Sequence, residues 1–232
     1  MNKIVVITAL SGNKERLKDP QIVFPGVDYV AFVDSKQDVS VWEQRPLLDF
    51  TLDDKYKYRR NAKIYKVLPH LFFPNHQVHI WHDVSHGLVK NPNEVISMMG
   101  DSDIGLFKHN QRSCLYQEAN ILKELNYDHI DLIDNQIAYY RGLGYPENNG
   151  LYELPVSVRK NTEKIQRLNL LWWEIICKYS SRDQLSMPFC LWKLGIKPFV
   201  FDGWANGFDE NGNIGVNKIL PQLYQHVSSG PK

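Results

Sequence analysis

A basic segment, Arg59-Arg60-Asn61-Ala62-Lys63, leads through Leu68-Pro69-His70 into Val78-His79-Ile80-Trp81-His82-Asp83-Val84-Ser85-His86. The first part reads as a helix and the last as a buried strand that ends in an aspartate. In an open α/β sheet, ligands sit beyond the carboxyl ends of the strands, which is where Asp83 emerges. A carboxylate there can hold Mg²⁺ or Mn²⁺ against a diphosphate, while nearby Arg and Lys offset its charge. The same pattern also suits a solvated helix face followed by a turn-capping aspartate, so both readings stand. Five histidines, His70, His76, His79, His82 and His86, fall in this stretch and raise the question of zinc. Side chains alternate along a strand, so His79 and Asp83 share one face and His82 takes the other. No HExxH pair occurs, which disfavours zinc and leaves His86 as the histidine to consider for an active site. Asp101-Ser102-Asp103 has the form D-x-D but precedes its apolar run, at the amino end of a strand. It reads as a turn of solvated acids.

Two further clusters carry polar chemistry. Lys108-His109-Asn110-Gln111-Arg112 follows a strand, with Tyr116 and Glu118 about one helical turn beyond, and makes a candidate second wall. A ligand-free loop entering a helix is the alternative. In Trp172-Trp173-Glu174, Trp172 belongs on an apolar face with Leu168 and Ile176. Trp173 and Glu174 then point elsewhere, toward a groove where an aromatic face can stack on a sugar. In Ser180-Ser181-Arg182-Asp183-Gln184, Asp183 at a helix start is stabilised as an anion by free N–H groups. It is a candidate base for a sugar hydroxyl, a task that depends mainly on position. An N-cap aspartate paired with Arg182 is the plainer reading.

These residues need elements to position them. Strands are expected at Lys3–Ala9, Tyr29–Val33 (followed by Asp34), Val78–Asp83, Ile104–Lys108 and Pro198–Asp202, with Leu151–Arg159 extended. Pro155 suggests an edge or a bulge there. Helices are expected at Asp54–Leu68, Ser113–Leu125 and Asp131–Arg141, then a long one capped by Asn161 and another capped by Asp183. Pro188 fits the latter where it lies near the first turn. Loops rich in Gly and Asn follow at Gly203–Gly215, then a short helix at Asn217–His226. The alternation predicts one α/β domain over 1–232 with a decorated C-terminal half.

Composition narrows the classes. The 232 residues carry 27 Lys+Arg against 26 Asp+Glu, a net charge of +1, which argues against a general nucleic-acid binder. Apolar residues make up 43%, enough for a globular core without a disulfide or metal staple. The 6 Trp, 12 Tyr and 10 Phe leave some for a stacking groove. Cys114, Cys177 and Cys190 lie far apart and form no C-x-x-C, so neither a zinc ribbon nor a disulfide framework is indicated. No run approaches the length of a membrane span and no leader pattern occurs. The cytoplasm is the expected location. Phosphate loops of the G-x-x-x-x-G-K-[ST] type, G-x-G-x-x-G after the first strand and G-x-S-x-G elbows are absent, which weakens ATPase, dehydrogenase and hydrolase readings.

In order along the chain, Arg60…Lys63…Leu68-Pro69-His70…Trp81-x-Asp83, Lys108-His109…Arg112-x-Cys114-x-Tyr116-x-Glu118, Gly150-Leu151, Arg159, Trp172-Trp173-x-Glu174-Ile175 and Ser181-Arg182-Asp183-Gln184-Leu185-Ser186 form a specific set. The set resembles the conserved blocks of the TOD1/MUCI70-type glycosyltransferase-like domain, once called DUF616. The resemblance implies a single GT-A-like (Rossmann-like) domain with a central mixed, mostly parallel sheet flanked by helices. A nucleotide-sugar half would cover about 1–110 and an acceptor half about 111–225. It further implies that Thr8, Ala9 and Asp34 hold the nucleoside, that Arg60 and Lys63 lie near the diphosphate, and that Asp83 holds Mn²⁺ or Mg²⁺. Asp183 as base is an extrapolation from glycosyltransferase architecture. Lys108, His109, Arg112, Trp173, Glu174, Arg182 and Gln184 would then serve the acceptor or support it. The chain departs from the D-x-D of GT-A enzymes at Asp83-Val84-Ser85. Serine is a poor ligand, so Ser85 is kept on the donor side and His86 is added as a metal candidate. His226…Gly230-Pro231-Lys232 is similar to the ending of related retaining transferases, though it reads more simply as a tail.

The expected activity is transfer of a sugar, hexosyl or deoxyhexosyl, from a nucleotide-diphosphate sugar to a glycan hydroxyl during polysaccharide biosynthesis. A lone placed carboxylate slightly favours inversion. The alternatives are a non-catalytic nucleotide-sugar- or glycan-binding domain of the same fold and, more weakly, a nucleotidyltransferase.

Overall fold

The computed structural model of the chain describes residues 3–12, 15–49, 56–203 and 205. The loops expected from 206 onward, the Asn217–His226 helix, the His226…Lys232 ending and the expected helix start at Asp54 lie outside the described residues.

The first strand, β1 (Ile4–Leu10), is apolar apart from Thr8, as expected of a strand covered on both faces. It pairs in parallel with β2 (Val27–Val33) on one side and β4 (Val78–His82) on the other. A polar strand, β3 (Glu43–Pro46), continues the sheet in parallel beyond β2. On the opposite side β6 (Tyr152–Lys160) runs antiparallel between β4 and β5 (Ile104–Lys108), and β7 (Phe199–Phe201) pairs in parallel with β5. The order is β3-β2-β1-β4-β6-β5-β7, a mixed, mostly parallel sheet, as expected. The carboxyl ends of six strands and the amino end of β6 therefore share one edge of the sheet.

Helices α1 (Lys57–Val67), α2 (Pro69–Phe72), α4 (Leu115–Glu124), α5 (Ile130–Gly142), α6 (Glu163–Lys178) and α7 (Asp183–Lys193) contribute to the two cores built around Val5, Ile7 and Trp81 and around Ile104, Leu106 and Trp172. The other core holds Ile4, Val6, Ile80 and Phe107, with residues of α3 (Pro92–Met98). Phe32 of β2 stacks on Tyr65 of α1 with centroids 3.6 Å apart. The end of α1 is tied to the sheet by Arg159 of β6, which is fully buried. Its guanidinium donates to the Lys66 carbonyl, to the Val67 carbonyl at 3.2 Å and to Asn169 Oδ1 at 2.6 Å. A cation among the free carbonyls of a helix C-terminus is well placed electrostatically. Burial pulls the Arg159 pKa down to about 9.

Several local expectations shift. Thr162, not Asn161, caps α6, while Asn161 donates to the Pro74 and His76 carbonyls. The residue before α7 is Arg182, and Asp183 is already helical. Pro188 lies inside α7, beyond its first turn, and costs the helix one backbone hydrogen bond. β6 is internal, so the bulge reading of Pro155 holds and the edge reading does not. The β5–β6 register shifts between Gly105 and Phe107, and the Pro155 carbonyl accepts from the Asp83 N–H at 2.7 Å.

Gly105 in β5 has no room for a side chain, because an added Cβ would meet the Phe201 ring at 2.5 Å. Gly105→Ala should cost about 1–3 kcal/mol in thermal or chemical denaturation, and Phe201→Leu should recover part of that loss.

Candidate functional site

At the carboxyl edge of the sheet, α1 turns one face toward a cavity of about 340 Å³. Arg59, Ala62, Lys63 and Lys66 line it, at the i, i+3, i+4, i+7 spacing of a single helix face. Across from them stand Asp83 and Ser85, after β4, and Arg182, Asp183 and Gln184 at the start of α7. Ala9, near the end of β1, also lines the cavity.

The centre of the site is one carboxylate oxygen. Asp183 Oδ2 accepts from Lys66 Nζ at 2.5 Å and from Lys63 Nζ at 2.8 Å. Burial by itself would raise the Asp183 carboxyl, but the Lys63, Lys66 and Arg182 charges outweigh it and hold it well below the usual carboxylate range. Burial brings the Lys63 ammonium down to about 8 against the opposing pull of Asp183. Lys66 Nζ also stands 3.8 Å from Asp83 Oδ1 and 5.7 Å from the centre of the Trp81 ring. The same Asp83 oxygen accepts from Trp81 Nε1 at 2.8 Å, and the side chain is 46% exposed.

The turn that delivers Asp183 is held by a second buried carboxylate, Asp128. It accepts from Ser180 Oγ at 2.9 Å and from the Ser181 N–H and Oγ at 2.8 and 2.7 Å. Burial raises the Asp128 carboxyl, and bonds from Ser181, His129 and Ser180 more than offset this, leaving it below the ordinary range. Arg59 Nη1 donates to the Tyr127 carbonyl at 2.6 Å and lies 3.9 Å from Asp128. Gln184 Oε1 is buried with no hydrogen-bond partner among the described residues, an open acceptor in a site otherwise crowded with donors.

Other expected site residues go elsewhere, each for a geometric reason. Thr8 is wholly buried, because strand alternation turns it to the face opposite Ala9. Arg60 lies off the cavity face of α1 and reaches the Tyr179 carbonyl at 3.3 Å, so Arg59 is the arginine of α1 that lines the site. Asp34 stands at its strand end and anchors the loop after β1, with Oδ2 accepting from the Gly12 N–H at 2.6 Å. Trp173 packs against the Trp172 core and Glu174 is exposed. Neither lines the cavity, whose helical walls come from α1 and α7.

His86 is not turned toward Asp83 as a ligand. Its Nδ1 is 3.0 Å from Ser85 Oγ and its Nε2 is 2.9 Å from the Ala205 carbonyl, so both ring nitrogens are engaged. Mn²⁺ and Mg²⁺ take oxygen ligands, and Mg²⁺ beside a phosphate commonly uses one or two carboxylates together with phosphate oxygens and water. Among the described residues no three His, Cys, Asp or Glu side chains converge, and Asp83 supplies a carboxylate that already has an ammonium nearby. The described residues do not fit a protein-built cage for either metal.

Lys108, His109 and Arg112 line a separate cavity of about 470 Å³ beyond β5 and β7, with Asp202 and Gly203 opposite. Arg112 Nε donates to buried Glu118 at 2.6 Å. His109 Nδ1 accepts from the Gln111 and Arg112 N–H groups at 3.2 and 3.1 Å. Burial lowers the His109 pKa, partly opposed by Glu118. Ala205 donates its N–H to Glu153 at 3.1 Å and accepts from His86, so the chain after β7 is bonded to both β6 and the loop after β4.

The family model for the TOD1/MUCI70 glycosyltransferase-like domain matches residues 1–205. The chain belongs to this family. A curated relative, the "Probable hexosyltransferase MUCI70" of Arabidopsis thaliana, is 25% identical over 177 residues, 71% of this chain. The match spans 30% of that protein's length. Among solved structures, mouse xyloside xylosyltransferase 1 aligns over 87% of this chain and 85% of its own at 12% identity, with a TM-score of 0.43. The galactosyltransferase LgtC aligns over 81% and 69% at 8% identity with a TM-score of 0.41, and the bifunctional glycosyltransferase WbbM over 86% and 38% at 7% with 0.47.

Within this family domain, Arg59 and Lys66 were missed by sequence reasoning. The signal existed, since a helix that presents Lys63 presents residues four before and three after it on the same face. Asp183→Asn should cost about 3–5 kcal/mol in denaturant titration, because it leaves two buried ammonium groups without their anion. Lys63→Met should cost less, since Asp183 keeps Lys66, and the double substitution should be less damaging than Asp183→Asn alone.

Proposed function

We propose that the chain transfers a hexosyl or deoxyhexosyl unit from a nucleoside-diphosphate sugar to a glycan hydroxyl. The observation that carries this reading is the convergence of the mostly covered Lys63 and the buried Lys66, with Arg59 and Arg182, on a cavity at the carboxyl edge of the sheet. In such a transfer the bond from the anomeric carbon to the diphosphate oxygen breaks and a bond to the acceptor oxygen forms. The diphosphate leaves with the bonding pair, and the acceptor's proton passes to a base or to water. Fixed cations placed where that negative charge develops stabilise the departure. Membership of a glycosyltransferase-like family supports the same chemistry.

Asp183 takes a different part from the general base anticipated for it. A carboxylate held ionised by two lysines has little affinity for a proton. Its place in the reaction is to keep Lys63 and Lys66 charged and aimed into the cavity. Asp83, half-exposed beside them, is the carboxylate available to the transferred sugar or its acceptor. Inversion, which rested on Asp183 as base, loses that support. Ala9 marks the nucleoside end and Gln184 the acceptor end. Among the described residues no helix is long and apolar enough to cross a membrane.

A second reading, a domain that binds nucleotide sugars without turnover, is favoured by Ser85 in place of a second acid and by the ion-paired state of Asp183. Incubation with a panel of nucleotide sugars and glycan acceptors separates the two. The transferase reading expects nucleoside diphosphate release from a restricted set of donors, falling about 100-fold or more in Lys63→Met. Tight donor binding with no release from any donor would establish the binding-domain reading instead.

A further inference from the structure

We infer that Lys63 and Lys66 neutralise the donor diphosphate in place of a divalent cation, so that donor binding needs neither Mg²⁺ nor Mn²⁺. The inference rests on the transferase reading above and adds how its leaving group is held. Of the described carboxylates that line the cavity, Glu15, Asp83 and Asp183, the last is taken by the two lysines, and Asp83 is the one that follows β4 at the carboxyl edge of the sheet. There, Lys66 Nζ is already 3.8 Å from one carboxylate oxygen, and that oxygen also accepts from Trp81. A dication beside that ammonium would be repelled, and the described side chains next along the loop offer no compensation. Ser85 Oγ is paired with His86, and His86 has both ring nitrogens engaged by protein atoms.

The charge balance of the cavity agrees. Four cationic side chains, Arg59, Lys63, Lys66 and Arg182, line it against three carboxylates, Glu15, Asp83 and Asp183, leaving an excess of one positive charge. A nucleotide-sugar diphosphate brings about one negative charge per phosphate, so this excess favours the anion and offsets about half of its charge. The cations are also held in advance. Arg159 grips the Lys66 carbonyl from β6, while the Arg59 and Arg182 guanidinium groups stack on Tyr56 and Tyr127 at 5.0 and 5.2 Å. In the free protein Asp183 Oδ2 occupies the lysines. A phosphate oxygen entering the cavity becomes a further acceptor for the same ammonium groups, whose three N–H donors each allow Asp183 and phosphate to be bound together.

Calorimetric titration of the full chain with uridine, guanosine, cytidine and adenosine diphosphates, in EDTA and again in Mn²⁺, tests this directly. The expected result is that the best-bound nucleotide changes its Kd less than about twofold between the two conditions. Lys66→Gln should weaken it about tenfold or more in both. Binding that vanishes in EDTA and returns with Mn²⁺ would overturn the inference and leave the transferase reading intact. Absence of binding to all four nucleotides in both conditions would overturn the transferase reading and the inference with it. Should Lys66→Gln fail to fold by circular dichroism, the comparison of EDTA with Mn²⁺ on the unaltered chain decides alone.

Discussion

Two ammonium groups share one buried carboxylate oxygen at the heart of this molecule, and most of the surrounding structure is arranged so that this is tolerable. Lys63, Lys66 and Asp183 are all largely removed from solvent, and each would be costly to bury without the others. A pair of one lysine and one aspartate would balance. The second lysine makes the group a cation held in place, which is what a site for a diphosphate requires. The remaining positive charge is the functional quantity, and the fold has to keep it from relaxing toward solvent.

It does so by securing both sides of the cluster from the sheet and from the neighbouring helices. Arg159, fully buried in β6, binds the last carbonyls of α1 and fixes the end of the helix that carries the lysines. Asp128, buried between α4 and α5, collects three bonds from Ser180 and Ser181 and so fixes the turn that carries Asp183. These two residues do not line the cavity, yet each positions one half of the ion cluster through the backbone. Their charges differ in sign because they meet opposite features. Arg159 faces free carbonyls at a helix end, whereas Asp128 faces hydroxyl and N–H donors in a tight turn.

Much of this arrangement was legible in the residues. The apolar β-branched run of β1, the strand ending at Asp83 and the helix through Lys63 follow from periodicity alone, and these place the site at the right edge of the sheet. The polar strand β3 escaped, since Glu43-Gln44-Arg45-Pro46 has no apolar face to announce it. Helix α3 escaped although Asn91 before Pro92 is a recognisable start. At the site, errors came from faces and partners rather than from residue types. Thr8 and Arg60 have suitable chemistry but lie on the wrong side of their elements. Trp173 and Glu174 lie on α6, which does not reach the cavity. No spacing rule could show that Asp183 meets two lysines more than a hundred residues away, or that His86 is engaged by Ala205.

The central claim is that the Asp183-bound lysines receive the diphosphate. A crystal structure of the chain with a bound nucleoside diphosphate tests it most directly. The account predicts a β-phosphate oxygen within about 3 Å of both Lys63 Nζ and Lys66 Nζ, with Asp183 still bonded to at least one of them. A diphosphate lodged instead beside Lys108 and Arg112 in the neighbouring cavity, with both lysines unchanged on Asp183, would contradict it.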